Sequence, residues 1–176
     1  MRATDYPYCQ SPFTVLAHRG GAGMAVNKGI ENTLAAFGHA VEVGCTYLET
    51  DVHATSDGVL VAFHDPILDR VTESGGVIAA MPWHKVKQAK VGGEPIPTLD
   101  EILDAFPDAF INIDIKHDGA TMPLIDVLSR HRAWSRVCVG SFSSKRIQTF
   151  RRLVQGRTAT AVGPVGVGWA VISPHS

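Results

Sequence analysis

Short apolar runs ending in polar residues alternate with segments of helical spacing along almost the whole chain, and few folds accommodate that order. Phe13-Thr14-Val15-Leu16-Ala17 runs into His18-Arg19-Gly20-Gly21, a buried strand followed by glycines. From Glu31 to Val43, Leu34, Phe37, Ala40 and Val41 recur at helical spacing, and Gly44 suits the residue just past a helix. Thr46 to Val52 reads as the next strand. Asp57-Gly58 is a turn signal before Val59–Phe63, a run that can pair back on that strand as a hairpin before it reaches His64-Asp65-Pro66. Thr98-Leu99-Asp100-Glu101 fits a capping box for a helix that Pro107 stops near Phe106. Phe110 to Lys116 alternates as a strand with Asn112, Asp114 and Lys116 on one face. Pro123 suits the first turn of a helix reaching about Arg132. Arg136–Gly140 is a strand, Ser143 caps a helix containing Ile147, Phe150 and Leu153, and Thr158–Val162 is one more strand. Strand and helix in this order predict an α/β fold, a parallel sheet with helical crossovers.

Residues 67–97 break the pattern. They show no sustained period and carry several Gly and Pro, yet Val77, Ile78, Met81 and Trp83 need burial, so an insertion or small subdomain is expected within a single domain spanning 1–176. The tail Gly163–Trp169 also loses the pattern. A hydrophobic content of 45% argues against disorder, and a net charge of −1 argues against a nucleic-acid binder held by a general basic surface. Cys9, Cys45 and Cys138 form no CxxC pair and are odd in number, as free thiols of a reducing compartment would be. No run approaches the 18 apolar residues of a membrane span, and MRATDYPYCQSPF reads as a polar leader without a signal-peptide core. These features predict a soluble, cytoplasmic protein.

Glu49 and Asp51 are the residues a strand kept only for folding would not carry. The two-residue repeat puts both on one face, roughly 6.5–7 Å apart. Two ionised carboxylates that close repel by about 2–3 kcal/mol at an effective dielectric near 20. Solvation on an edge strand, a shared proton or a cation can each relieve that repulsion, and hard oxygen ligands suit Mg²⁺ or Ca²⁺. Other strand ends bring His18 and Arg19, then His64, then Asp114 and Lys116. In a parallel α/β barrel all strand C-termini open on one face, so these groups would converge. Hydrolysis of a phosphate diester uses such a set: a cation for the phosphoryl charge, an arginine fork and a lysine for the oxygens, and two imidazoles to move protons. Individually each has a simpler reading. Arg19 could be a surface ion pair, Asp114 and Lys116 could pair only with each other, and Asp65 could merely cap the turn before Pro66. His39, His53, His84, His117, His131 and His175 read as surface or core histidines.

Five segments in order, LAHRGG, ENTLAAF, YLETDVHATSDGVLVAFHD, IPTLDEIL and NIDIK, resemble the glycerophosphodiester phosphodiesterase family. The resemblance covers roughly Val15 to Val162. It implies a TIM (β/α)8-type barrel with a small insertion after the second strand, a divalent cation (Ca²⁺ or Mg²⁺), and hydrolysis of small-molecule glycerophosphodiesters to glycerol 3-phosphate and an alcohol. By this resemblance His18 and His64 are the acid–base pair, and Arg19 and Lys116 bind the phosphate. Glu49, Asp51 and Asp114 are metal ligands, and Glu31 lies near the glycerol and metal site. Asp114 stands where the family usually has a glutamate. A (β/α)8 barrel takes about 250 residues, whereas about five β/α units are legible here. The expectation is therefore an incomplete barrel, poorly active or inactive in isolation, whose exposed edges offer a route to self-association. Two rivals stay open: a phospholipase-D-like lipid phosphodiesterase, and a non-catalytic phosphate-binding or partner-binding fragment.

Overall fold

The computed structural model describes residues 2–11 and 14–161. Its parallel strands are β1 (Leu16–Ala17), β2 (Tyr47–Ala54), β6 (Phe110–Ile115), β7 (Val137–Gly140) and β8 (Ala159–Thr160). They lie side by side in that order, each pairing in parallel with the next. A sixth strand, β3 (Leu60–Ala62), pairs antiparallel with the far end of β2, so the Asp57-Gly58 hairpin forms as the turn signal implies. Both β3 and β6 pair with Val52, which places them on opposite sides of β2. Helices α1 (Leu34–Glu42), α3 (Leu99–Ala105), α4 (Thr121–Arg130) and α5 (Ser144–Val154) connect the parallel strands. The expected first strand, Thr14–Ala17, shortens to two residues, and the described part of the last, residues 158–161, contains the two-residue β8. Phe13, Val162, the Gly163–Trp169 tail and His175 lie outside the described residues.

The local chemistry explains the helix starts. Thr33 Oγ1 accepts from the Ala36 amide, Ser143 Oγ from the Arg146 amide, and Thr98 Oγ1 from the Glu101 amide. Glu101 returns the contact by accepting from the Thr98 amide at 2.7 Å, which completes the capping box. Alternation along the strands then divides the sheet into two faces. Leu48 and Val52, Ile111, Ile113 and Ile115, and Val137 and Val139 point to the helices and form the main core with Phe37, Leu99, Ile102, Leu124, Leu128, Ile147 and Phe150. On α5 the buried position after Phe150 is Val154, whereas Leu153 is exposed.

The opposite face carries the polar residues at one end and aromatics at the other. Tyr47 and Phe110, at the starts of β2 and β6, stack with ring centres 4.8 Å apart. Tyr8 meets both edge-on, and its carbonyl accepts from the Tyr47 hydroxyl at 2.9 Å. The supposed polar leader therefore floors this face, and burial pushes the Tyr8 phenol well above its ordinary range. Residues 67–97 contain a short helix, α2 (Trp83–Val86), and a ribbon of β4 (Lys90–Val91) with β5 (Glu94–Pro95). Leu68, Ile78, Val86, Ala89, Val91 and Ile96 pack with Val61 and Phe63 in a second, smaller apolar cluster. Met81 and Trp83 are half-buried against it, but Val77, expected inside, is exposed, bridged through its backbone to the likewise exposed Ile67.

Candidate active site

The C-terminal ends of β1, β2, β6 and β7 open on a cavity of about 670 Å³. His18, Arg19, Glu49, Asp51, His64, Asp114 and Lys116 line it, together with Leu16, Asn112, Ser141 and Phe142. Of the eight residues singled out from sequence, only Glu31 is absent from the lining. Its carboxylate stands behind Arg19, accepting from Nη1 at 3.2 Å. The strand that bears Glu49 and Asp51 is not a solvated edge. β2 has partners on both sides, and all eight of its residues are buried.

A strained turn sets the first wall. Arg19 has φ +50° and Gly20 +75°, with Gly21 also left-handed, in the turn that follows β1. A Cβ on Gly20 would come within 3.1 Å of Ala36 and Phe37, so that position needs glycine both for its φ and for its closeness to α1. A left-handed arginine costs about 1 kcal/mol. The turn directs the Arg19 amide onto Glu49 Oε2 at 2.7 Å and sets Arg19 Nε 3.6 Å from Asp51. Arg19 is thus no surface ion pair. Asn32, also left-handed, donates its amide to the Arg19 carbonyl and its side-chain nitrogen to Asp51 at 3.2 Å, while accepting from Thr50. Asn32 belongs to the ENTLAAF segment, and nothing in its local sequence marks it as the residue that joins Arg19 to Asp51.

Lys116 Nζ lies 2.9 Å from Asp51 Oδ1 and 2.6 Å from Asp114 Oδ2, so it does not pair with Asp114 alone. Burial lowers its pKa, but the two carboxylates more than offset that and raise it. Its ammonium also lies 5.2 Å from the centre of the Phe142 ring, which is 81% exposed at the mouth. Burial, then the neighbouring Asp51, pushes the Glu49 carboxyl up to about 7, against the pull of the Arg19 amide. His18 is mostly exposed, with Nε2 3.9 Å from Glu49, beyond hydrogen-bond reach. His64 Nδ1 bonds Asp65 Oδ1 at 2.6 Å, so Asp65 does more than cap a turn. Of the other histidines, His53 is buried and bonds the His64 carbonyl, and burial lowers its pKa. His39 bonds Asn27, which in turn holds the Gly20 and Ala36 carbonyls.

Among the described residues, no three His, Cys, Asp or Glu side chains already stand in a metal-ligating arrangement. Lys116 instead lies between two of the carboxylates. The donor set nevertheless suits a hard divalent cation. Glu31, Glu49, Asp51, Asp65 and Asp114 outnumber the fixed cations Arg19, Arg70 and Lys116. Asp114 Oδ1 is buried with no hydrogen-bond partner, and burial together with Asp51 disfavours the ionised form of Glu49, a penalty a bound cation would relieve. All three cysteines are free, and Cys138, buried on β7 with its thiol pushed up to about 12 by burial, is inert. No helix among the described residues is long and apolar enough to cross a membrane.

The model of the glycerophosphoryl diester phosphodiesterase family matches residues 18–161. A Mycobacterium tuberculosis protein named "Probable glycerophosphodiester phosphodiesterase 2" is 40% identical over 84% of this chain and 55% of its own length. Human lysophospholipase D GDPD1 is 37% identical over 57% of this chain and 35% of its own. The chain thus spans between about a third and somewhat over half of the length of these relatives. Among solved structures, an Oleispira antarctica phosphodiesterase in complex with the product sn-glycerol-3-phosphate superposes with a TM-score of 0.79 at 27% identity, covering 96% of this chain and 73% of that one.

Proposed function

This chain belongs to the glycerophosphoryl diester phosphodiesterase family, whose fold is a TIM-barrel-type α/β architecture, and from that premise we propose that it hydrolyses glycerophosphodiesters to glycerol 3-phosphate and an alcohol. The observation that carries the reading is the convergence of two histidines, Arg19, Lys116 and three buried carboxylates on one cavity at the strand ends. The product bound by the Oleispira relative is the one this reaction would release.

The roles follow from the chemistry of the groups. A phosphodiester brings one negative charge to a cavity where the Arg19 fork and the Lys116 ammonium can meet its oxygens. One of His18 and His64 accepts a proton from the attacking water, whose oxygen joins phosphorus, and the other donates a proton to the departing alkoxide. The bond from phosphorus to the alcohol oxygen breaks as the bond to the attacking oxygen forms. Glu49, Asp51 and Asp114 would hold Ca²⁺ or Mg²⁺, which when bound supplies charge stabilisation at the phosphoryl oxygens. The shorter Asp114 brings the same hard oxygen ligand as a glutamate.

The apolar mouth favours a second reading. Leu16 and the exposed Phe142 line the cavity, a surface that suits an acyl chain better than a small alcohol, and one relative is named a lysophospholipase D. Purified chain should be assayed on glycerophosphocholine and lysophosphatidylcholine with Ca²⁺ and with Mg²⁺, with metal affinity measured by calorimetry on the same sample. Turnover of the first substrate supports the leading reading, and preference for the second supports the lipid one. Metal or phosphate binding without turnover of either would leave a binding fragment and overturn both.

A further inference from the structure

We propose that Arg70, which lies in the segment 67–97 and outside the sequence motifs, is the positioning residue that fixes the tautomer of His64. The assignment rests on His64 being one of the two proton-transfer groups proposed above. Asp65 is the link between the two. Its Oδ1 faces His64 Nδ1 at 2.6 Å, and its Oδ2 takes a short contact from Arg70 Nε. Burial raises the Asp65 pKa, but the bonds from Arg70 and His64 more than offset it and hold the carboxyl below its ordinary range. An ionised carboxylate can only accept, so the proton between them sits on His64 Nδ1. The lone pair of neutral His64 is then on Nε2, the nitrogen left for the cavity that His64 lines.

The other side of the same guanidinium is clamped by Glu31. Nη2 lies 2.5 Å from Oε1 and Nη1 3.4 Å from Oε2, and Oε1 also receives Arg19 Nη1. Arg70 therefore ties the His64–Asp65 loop to the loop before α1, and through Glu31 to the phosphate-facing Arg19. Stability is a weak explanation for this arrangement. The Arg70 side chain is 45% exposed, and ion pairs at such sites contribute about 0–1 kcal/mol. A planar fork reaching two carboxylates in different loops is a device for holding directions, which a lysine's single point charge lacks. Without it the Asp65 carboxylate is free to turn, and His64 Nδ1 loses its fixed acceptor.

The test is the ¹⁵N spectrum of His64, recorded on the full chain above the imidazole titration, in wild type, Arg70→Gln, Arg70→Lys and Asp65→Asn. Wild-type His64 should be the Nδ1–H tautomer. Arg70→Gln should shift it towards the ordinary mixture in which Nε2–H predominates, and Arg70→Lys should restore it only in part. Asp65→Asn, which keeps the shape and removes the charge, should reproduce the Arg70→Gln spectrum. On glycerophosphocholine, kcat should fall by about 10–100-fold in Arg70→Gln with KM changed less than about twofold. A His64 that stays Nδ1–H in a folded Arg70→Gln overturns the proposal. If the tautomer answers to Arg70 but wild type turns over no phosphodiester, the reaction assignment falls and the positioning of His64 stands.

Discussion

Glu49 is ionisable, buried and next to Asp51, so its protonation is where the site's chemistry and the fold's stability meet. Its carboxyl rises from an ordinary 4.5 to about 7, chiefly through burial. Between those values the folded chain holds a proton that the unfolded chain has released. The stability associated with Glu49 is therefore greatest below 4.5 and declines until pH 7, by about 3 kcal/mol in all. Glu49→Gln has no such proton to lose. In the presence of a chelator, the unfolding free energy of Glu49→Gln minus that of wild type should grow by about that amount between pH 4.5 and just above 7. A difference independent of pH would show the carboxyl to be ordinary. Saturating Ca²⁺ should shrink the gap, because the cation binds the ionised form. At the same scale, His18→Ala and His64→Ala should each fold normally and lose on the order of 10²–10⁴ in turnover. Unchanged turnover in either would remove that histidine from the proton-transfer pair. Most of these side chains were legible in the primary structure because polar residues at strand ends are conspicuous. Arg70 and Asn32 were not, since an arginine in an irregular segment and an asparagine in a turn have many ordinary uses.

Secondary-structure elements carry this site by their register. On β2 and β6, Asp51 pairs opposite Asp114, and Glu49 opposite Asn112, which brings the carboxylates to one level of the sheet. That register depends on α3 returning the chain to Phe110, and α3 begins at the Thr98–Glu101 box. Thr98→Ala should lower stability by about 1 kcal/mol, within the range of roughly 0.5–2 for lost caps. Thr98→Ser should lower it less. Urea unfolding at unchanged slope checks both, and an Ala variant as stable as wild type would mean that the cap is dispensable. The starts of α3 and α5 were predictable because the Thr98 and Ser143 caps are decided by residues three apart. The aromatic floor was not: Tyr8 meets Tyr47 and Phe110 from 39 and 102 positions away in sequence, and no local pattern marks such a contact.

Across the whole molecule, one sheet separates an apolar helix-packed side from a side whose upper end is crowded with charge. The surplus of carboxylates over fixed cations predicts that a divalent cation stabilises the entire fold. At one hundred times its dissociation constant, Ca²⁺ or Mg²⁺ should add about 2.7 kcal/mol to the unfolding free energy. Asp51→Asn with Asp114→Asn should remove most of that gain, and calorimetric scans with and without cation would measure it. A wild-type transition that ignores both cations would argue against any metal here. By itself the sequence determined the order of strands and helices outside residues 67–97, the hairpin at Asp57-Gly58, the caps at Thr98 and Ser143 and the face shared by Glu49 and Asp51. All of these follow from periodicity and from contacts a few residues apart. Tertiary structure alone decided that β2 is central and not an edge, that Lys116 bridges two carboxylates, and that Glu31 serves Arg19 and Arg70 from behind the cavity. Those facts depend on which strands become neighbours and on how loops from distant parts of the chain meet at one end of the sheet, and distance along the chain does not encode that.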